Sequence, residues 1–271
     1  PISRAFSRLV CMPATAWPPY VYTDGRGNFT GPLDEFASQI ASRLGLKLRY
    51  QAYANNAGVQ QALLDGKVDM VIGVAPSPTR KLQMLFTSAL MVLPRAVLLT
   101  GGRDSLSLEE AYGVRWVCVF GVSACDELLR LGISNLVTVD SRDEAIFMLK
   151  EGQADAYLAE LPMLSRLQAM AGMTLTMVDW MRDTSLAMAV APGGEVLQGL
   201  LDRALEDISP LERRGILEAG GIVDYALVKG NREIVFYAQE QAWLHAPPVI
   251  RHGVAPAWPG MSESYGRGRL K

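Results

Sequence analysis

Val71-Ile72-Gly73-Val74-Ala75-Pro76-Ser77-Pro78-Thr79-Arg80 decides how the rest of the chain is read. Asp69 to Val74 is an apolar run of strand length, and it enters a loop with two prolines and two hydroxyls. The loop delivers one arginine. An arginine just past a strand end suits a two-pronged grip on a carboxylate or phosphate. It also suits an ordinary surface loop, and the neighbouring chain has to separate the two readings.

Upstream, Leu9 to Met12 reads as a first strand, followed by the aromatic turn Ala16-Trp17-Pro18-Pro19-Tyr20. Residues 1–8 carry no pattern and read as a leader. Thr23 to Asn28 is a turn. A helix is expected from Leu33 to Leu44, because Phe36, Ile40 and Leu44 recur every four residues and Gly45 stops them. Leu46 to Tyr53 alternates as a strand, and a short helix through Val59 and Leu63 closes at Gly66. Strands alternating with helices imply a mostly parallel α/β sheet, whose ligands sit beyond the carboxyl ends of the strands. Arg80 and the Trp17–Tyr20 cluster both follow such ends.

A second copy of the pattern follows. Leu63-Leu64-Asp65-Gly66-Lys67-Val68-Asp69-Met70 is matched by Leu149-Lys150-Glu151-Gly152-Gln153-Ala154-Asp155-Ala156. Ser141 and Glu144 have capping-box spacing at the start of the second helix. The equivalent strand ends are Gly73-Val74 and Ala159-Glu160, which suggests two lobes facing across a cleft. Between the copies, Ala96 to Thr100 and Arg115 to Phe120 read as strands. A helix starting near Ser123 would offer either an anion site at its amides or an ordinary Ser123 cap. Ser185 to Ala191 is a strand, Glu195 to Ile208 a helix, and Ser209-Pro210-Leu211-Glu212 a helix start.

Composition narrows the function. The chain has 271 residues, a formal charge of −2, 49% hydrophobic and 20% charged residues. That balance leaves no electrostatic footprint for nucleic acid. No apolar run reaches membrane-spanning length, since Pro94 and Arg95 interrupt Ala89 to Leu99. The two histidines, His245 and His252, lie in the tail, so neither a metal site, nor a cofactor, nor a Ser-His-Asp triad is expected. Cys118 and Cys125 could pair in an oxidising compartment, but buried free thiols are the expectation.

Trp17-Pro18-Pro19-Tyr20, Gly31 with the helix ending Arg43-Leu44-Gly45-Leu46, Ser77-Pro78-Thr79-Arg80 before Phe86-Thr87-Ser88, and Gly152-x-Ala154-Asp155-Ala156 together carry a resemblance. In that order they are similar to the extracellular solute-binding proteins of family 3 over roughly Leu9 to Tyr225. The resemblance implies the type II periplasmic-binding-protein fold, a two-lobed Venus flytrap. It implies that Arg80 grips a ligand carboxylate, that Gly73 and Thr79 join that contact, and that Trp17 and Tyr20 flank the ligand. It puts Ser123 and Ala124 at the helix start of the other lobe, and Glu160 where an acidic side chain pairs with an α-amino group. Two positions depart from the family pattern. No acidic residue is clearly placed after Gly31, and Ala89-Leu90-Met91 replaces an aromatic after Ser88. The ligand class is therefore open between an amino acid and a small carboxylate.

The expected lobes are 9–97 with 185–226, and 98–184, hinged near Pro94 to Leu98 and Asp179 to Leu186. Residues 227–247 read as a linker helix with Tyr237 to Leu244 at its centre. Residues 248–271 read as the opening strand and turn of a second flytrap. There Ala257-Trp258-Pro259-Gly260 echoes Ala16-Trp17-Pro18-Pro19, and Tyr265 to Leu270 echoes Asp24 to Phe29. Tandem flytraps with such a linker resemble the periplasmic region of BvgS/EvgS-type sensor histidine kinases. The expected function is a periplasmic ligand-sensing domain of an inner-membrane receptor, not itself an enzyme. Its expected partners are a small amino acid or carboxylate, the following flytrap and a second copy in a homodimer. A free receptor of an ABC amino-acid importer is the alternative. A cyclohexadienyl-dehydratase-like enzyme and a domain that has lost ligand binding complete the set.

Overall fold

The computed structural model describes residues 7–13, 17–53, 55–171, 173–222, 264–265 and 269–270. The chain divides into a unit extending to Arg232 and a second, Glu233–Lys271. The expected linker helix and most of the expected second-flytrap opening lie outside the described residues.

The first strand, β1 (Ser7–Pro13), takes in Ser7 and Arg8, which therefore belong to the sheet and not to a leader. Next comes a hairpin of β2 (Tyr22–Thr23) and β3 (Phe29–Thr30). Asp24 holds its turn by accepting from the Arg26 and Asn28 amides at 2.8 and 2.9 Å. Helix α1 (Pro32–Leu44) buries Leu33, Phe36 and Ile40 completely, as their spacing demands, and ends at Gly45 in the left-handed region. Strand β4 (Lys47–Tyr53) and helix α2 (Asn56–Leu64) lead to β5 (Met70–Val74), the strand quoted first, whose Met70, Val71 and Ile72 are fully buried. The loop after it is one helical turn, α3 (Pro78–Lys81), and the Ser77 hydroxyl caps it by accepting from the Arg80 amide.

Strands β6 (Leu85–Phe86) and β7 (Met91–Leu93) stay in the first sheet. After Pro94 the chain crosses to the second sheet as β8 (Arg95–Leu99). Then follow α4 (Leu108–Ala111), β9 (Trp116–Val119), α5 (Ser123–Arg130), β10 (Leu136–Val139) and α6 (Arg142–Lys150). The second sheet is completed by β11 (Ala156–Glu160), α7 (Leu161–Ala171) and β12 (Thr174–Met177). The chain returns to the first sheet with β13 (Thr184–Val190) and finishes with α8 (Glu195–Glu206) and α9 (Pro210–Ala219). A capping box of Ser209 and Glu212 starts α9. At α6 the box is skewed. Ser141 accepts from the Glu144 amide, but the Glu144 carboxylate reaches the Asp140 amide instead of that of Ser141.

The first sheet runs β4-β1-β5-β13-β6, with β7 also on β13; the second runs β10-β9-β11-β8-β12. In each, a parallel trio meets antiparallel strands: β1 pairs in parallel with β4 and β5, and β9 with β10 and β11. Two sheets joined by two crossovers form the two-lobed α/β architecture that the repeat implied, but the sheets are mixed and not mostly parallel, because β13 in the first and β8 in the second run against their neighbours. The first crossover sits at Pro94, so residues 95–97 belong to the second sheet and not to the first lobe, because β8 takes its hydrogen bonds from β11 and β12. The second crossover lies between Met177 and Thr184.

One apolar cluster runs through both lobes, and each lobe adds a smaller one of its own. Trp116 is fully buried in the second lobe, donates to the Ala111 carbonyl at 2.8 Å and meets Trp180 edge-on. Cys118 in β9 and Cys125 in α5 form a disulfide, which corrects the expectation of free thiols. The turn at Gly121 folds the helix start back on the strand end, bringing their Cα atoms to 5.7 Å, within bridging range. A bridge closing so short a loop stabilises by about 2 kcal/mol. Cys118→Ala/Cys125→Ala should therefore lower Tm by roughly 4–8 °C. Calorimetry checks this, and a drop under about 2 °C would refute it.

Candidate functional site

The two copies of the sequence pattern meet where their strands end. From the first lobe come Gly73 at the end of β5, Arg80 on α3, Trp17 and the start of α2. From the second come Gly121 after β9, Ser123 at the start of α5, Arg142 at the start of α6, and Glu160 at the end of β11. Together they line a cavity of about 50 Å³.

Arg80 is buried, and two of its donors go to main-chain carbonyls. Nη1 donates to Ala75 in its own lobe at 2.8 Å, and Nη2 donates to Gly121 in the opposite lobe at 2.7 Å. Gln60 of α2 donates to the same Gly121 carbonyl at 3.1 Å. A Cβ at Gly121 would stand 3.1 Å from the Ala57 amide nitrogen, so glycine there permits α2 to approach the turn. On the other side Arg142 stands over the Trp17 ring, 4.9 Å from its centroid. The lobes are thus closed on each other, held by a guanidinium, an amide and a cation–ring contact. Burial pulls the Arg80 guanidinium below its ordinary value, opposed by Asp126 and Glu127. It stays cationic, with donors left for a ligand.

The floor of the second lobe holds the residue that sequence reading passed over. Arg95 is 1% exposed and stands directly opposite Glu160 in the β8–β11 register. Its Nη1 donates to Glu160 at 3.2 Å; its Nη2 donates to the Ser123 hydroxyl at 3.0 Å and to Glu127 at 3.1 Å. An arginine in the otherwise apolar run Met91 to Leu99 was the available signal, because a buried charge requires a partner. Arg142 and the α2 residues Asn56 and Gln60 are further polar cleft residues that sequence reading missed.

Five of the eight expected site residues line the cavity: Trp17, Gly73, Arg80, Ser123 and Glu160. The other three do not. Thr79 is exposed, because the helical turn capped by Ser77 points it outward while Arg80 points in. Ala124 packs in the core of the second lobe. Tyr20 is fully buried, edge-on to Trp17 at 4.8 Å, behind the cavity wall. Burial, then the Glu160 charge, pushes its phenol well above the ordinary value. Ser123 is not the cap expected of it. Val122 takes that place without a side-chain bond, and the Ser123 hydroxyl is free to accept from Arg95.

A wider depression of about 400 Å³ lies between the β2–β3 hairpin, α1 and α9. Its carboxylates are already engaged: Asp34 by Tyr50, Glu35 by Gln39 and Glu212 by Arg43. Only the interlobe cavity combines both lobes with convergent charge among the described residues.

Comparison with known proteins agrees with this layout. An ancestral arginine-binding protein bound to arginine is 24% identical, with 78% of this chain and 96% of that chain covered and a TM-score of 0.69. Holo ArgBP from T. maritima is 22% identical over 78% of this chain and 94% of its own, with a TM-score of 0.65. The substrate-binding protein of an amino-acid ABC transporter is 19% identical over 78% and 97%, with a TM-score of 0.69. At such identities the likeness establishes the type II periplasmic-binding fold. A comparison with curated protein sequences finds no match. No helix among the described residues is long and apolar enough to cross a membrane. Residues 9–218 match the model of one family, and with the cleft between two α/β lobes this shows that the chain belongs to the bacterial extracellular solute-binding proteins, family 3.

Proposed function

We propose that this chain is a periplasmic ligand-sensing domain of a transmembrane signalling receptor. It binds a small amino-acid-like or carboxylate ligand between its lobes and signals by lobe closure. The observation that carries the binding half is Arg80. It lies buried at the cleft and is bonded at once to Ala75 of its own lobe and Gly121 of the other. A ligand carboxylate held by Arg80 and by the second-lobe wall of the cleft would bridge the lobes, and that bridge exists only in the closed state. Ligand shifts such an equilibrium only by binding open and closed states unequally. A site that doubles as the interlobe link provides that inequality. The crossovers at Pro94 and between Met177 and Thr184 are the proposed hinges.

The sensor half rests on the tail. Ser264–Tyr265 pairs antiparallel with Arg269–Leu270, as Tyr22–Thr23 pairs with Phe29–Thr30. Both hairpins follow a Trp-Pro turn, Trp17-Pro18 and Trp258-Pro259. That order supports a second flytrap opening in the same polypeptide, beginning near residue 248. The Cys118–Cys125 bridge supports an oxidising compartment such as the periplasm. The second reading is a free receptor of an ABC amino-acid importer, favoured by the likeness to such a transporter's binding protein. Fractionation of the native host decides between them. The sensor reading expects the chain in carbonate-washed membranes, and recovery in osmotic-shock fluid would sink it.

Among the solved structures is an ancestral amino-acid-binding protein described as a precursor of cyclohexadienyl dehydratase. Glu160, the carboxylate lining the cavity, is engaged by Arg95. That pairing favours binding over turnover, because a general acid or base has to exchange its proton freely. The binding site itself is tested with Arg80→Ala. Losing a charge-assisted grip should weaken any ligand found by thermal-shift screening by about 100-fold. Unchanged ligand-induced shifts would remove Arg80 from the site.

A further inference from the structure

Resting on the reading that Arg80 grips a ligand carboxylate, the charge pattern of the cleft goes one step further. We propose that the ligand carries no ammonium group. It is a 2-oxo or 2-hydroxy acid of about two to four carbons, bound through its carboxylate and an acceptor oxygen beside it.

Three observations converge on this class. The first is the position of Glu160. A side-chain carboxylate is what an α-ammonium group needs, and Glu160 lines the cavity. Here the antiparallel register places Arg95 opposite it, with Nη1 already on its carboxylate at 3.2 Å and no side-chain exposure. A cation arriving at Glu160 would meet a second, fully buried cation already paired with that carboxylate. The second observation is the surplus of donors. Arg80, Arg142 and the amides of Asn56 and Gln60 line the cavity. Trp17 lines it too, and its Nε1 is an N–H donor buried without a partner. The third is size. A cavity of about 50 Å³ holds on the order of three to five waters. That is the bulk of glycolate or pyruvate and far below that of arginine.

The test uses this chain and matched pairs that differ at one group: glycolate against glycine, and pyruvate and L-lactate against L-alanine. Titration calorimetry at pH 7 reads each affinity, in the wild-type protein and in Glu160→Gln. The oxo or hydroxy acid of each pair should bind at least tenfold tighter in the wild-type protein, and no more weakly in Glu160→Gln, where the Arg95 cation loses its carboxylate partner. Amino acids binding as tightly as their partners, or losing their binding in Glu160→Gln, would overturn the proposal while leaving the receptor reading in place. If no acid of either kind bound, the proposal would fall, while the receptor reading would still be decided by the thermal-shift screen with Arg80→Ala. The pairwise comparison in the wild-type protein needs no variant, so a poorly folding Glu160→Gln leaves it decisive.

Discussion

Arg95→Met should destabilise the protein by about 3–5 kcal/mol, an effect typical of breaking a buried ion pair by removing one partner. The expected signature is a Tm lower by roughly 6–20 °C. Arg95 has no side-chain exposure, Glu160 has 5% and Glu127 has 19%. Methionine fills most of the arginine's volume, so cavity formation contributes little. What remains is the Glu160 carboxylate, buried and without its guanidinium, together with a Ser123 hydroxyl that loses its donor. The pair itself is not a large source of stability, since desolvating two charges offsets most of their attraction. That asymmetry gives a sharper test than the single variant. Arg95→Met/Glu160→Gln removes both charges and should recover about half of the loss or more, because an uncharged amide is far cheaper to bury than a lone carboxylate. If Arg95→Met alone cost less than about 1 kcal/mol, or the double variant were no better than the single, the network would not be what holds the cleft floor.

The same network explains what sequence reading could and could not reach. Helix α1 was legible because its contacts are local: Leu33, Phe36 and Ile40 lie on one face and Gly45 ends it whatever surrounds them. The repeat around Gly66 and Gly152 was legible for the same reason, and it places Arg80 and Glu160 at matching strand ends. Their neighbours were not. Arg95 meets Glu160 only because β8 runs antiparallel to β11 in one register, a non-local fact absent from either segment alone. Thr79 and Arg80 are adjacent in sequence, yet one helical turn capped by Ser77 sends one to solvent and the other into the cleft. Reading that turn as a loop gave both the same role. Cys118 and Cys125 could pair only once the Gly121 turn, with its positive φ, set their separation. Where side-chain chemistry depended on a strand partner or a turn, the sequence carried the residues without their relation.

Gly73→Ala should cost about 2–5 kcal/mol, even though alanine is the smallest change available there. Two causes add. Gly73 has φ +79, where an L side chain costs about 1–2 kcal/mol. A Cβ at that position would also stand 2.6 Å from Leu33 Cδ1 and 3.4 Å from Trp17 Cζ3. Leu33 is fully buried near the start of α1 and cannot swing away cheaply, so overpacking contributes about 1–3 kcal/mol. Gly45 separates the two causes. It has φ +64 but nothing within 4 Å of a built Cβ, so Gly45→Ala should show the backbone cost alone. Leu33→Ala removes the clash partner, so in a double-mutant cycle with Gly73→Ala the pair should couple by about 1–3 kcal/mol in the relieving direction. Denaturant midpoints measure the wild type and the four variants, and equal losses at Gly73 and Gly45 would mean that no clash occurs. The consequence reaches the ligand, because the crowded Trp17 ring carries Arg142 across the cleft at 4.9 Å. Pushing that ring moves a contact in which an aromatic of the first lobe meets a cation of the second. Any acid that binds the wild type should then bind Gly73→Ala about tenfold more weakly, while Gly45→Ala binds it unchanged.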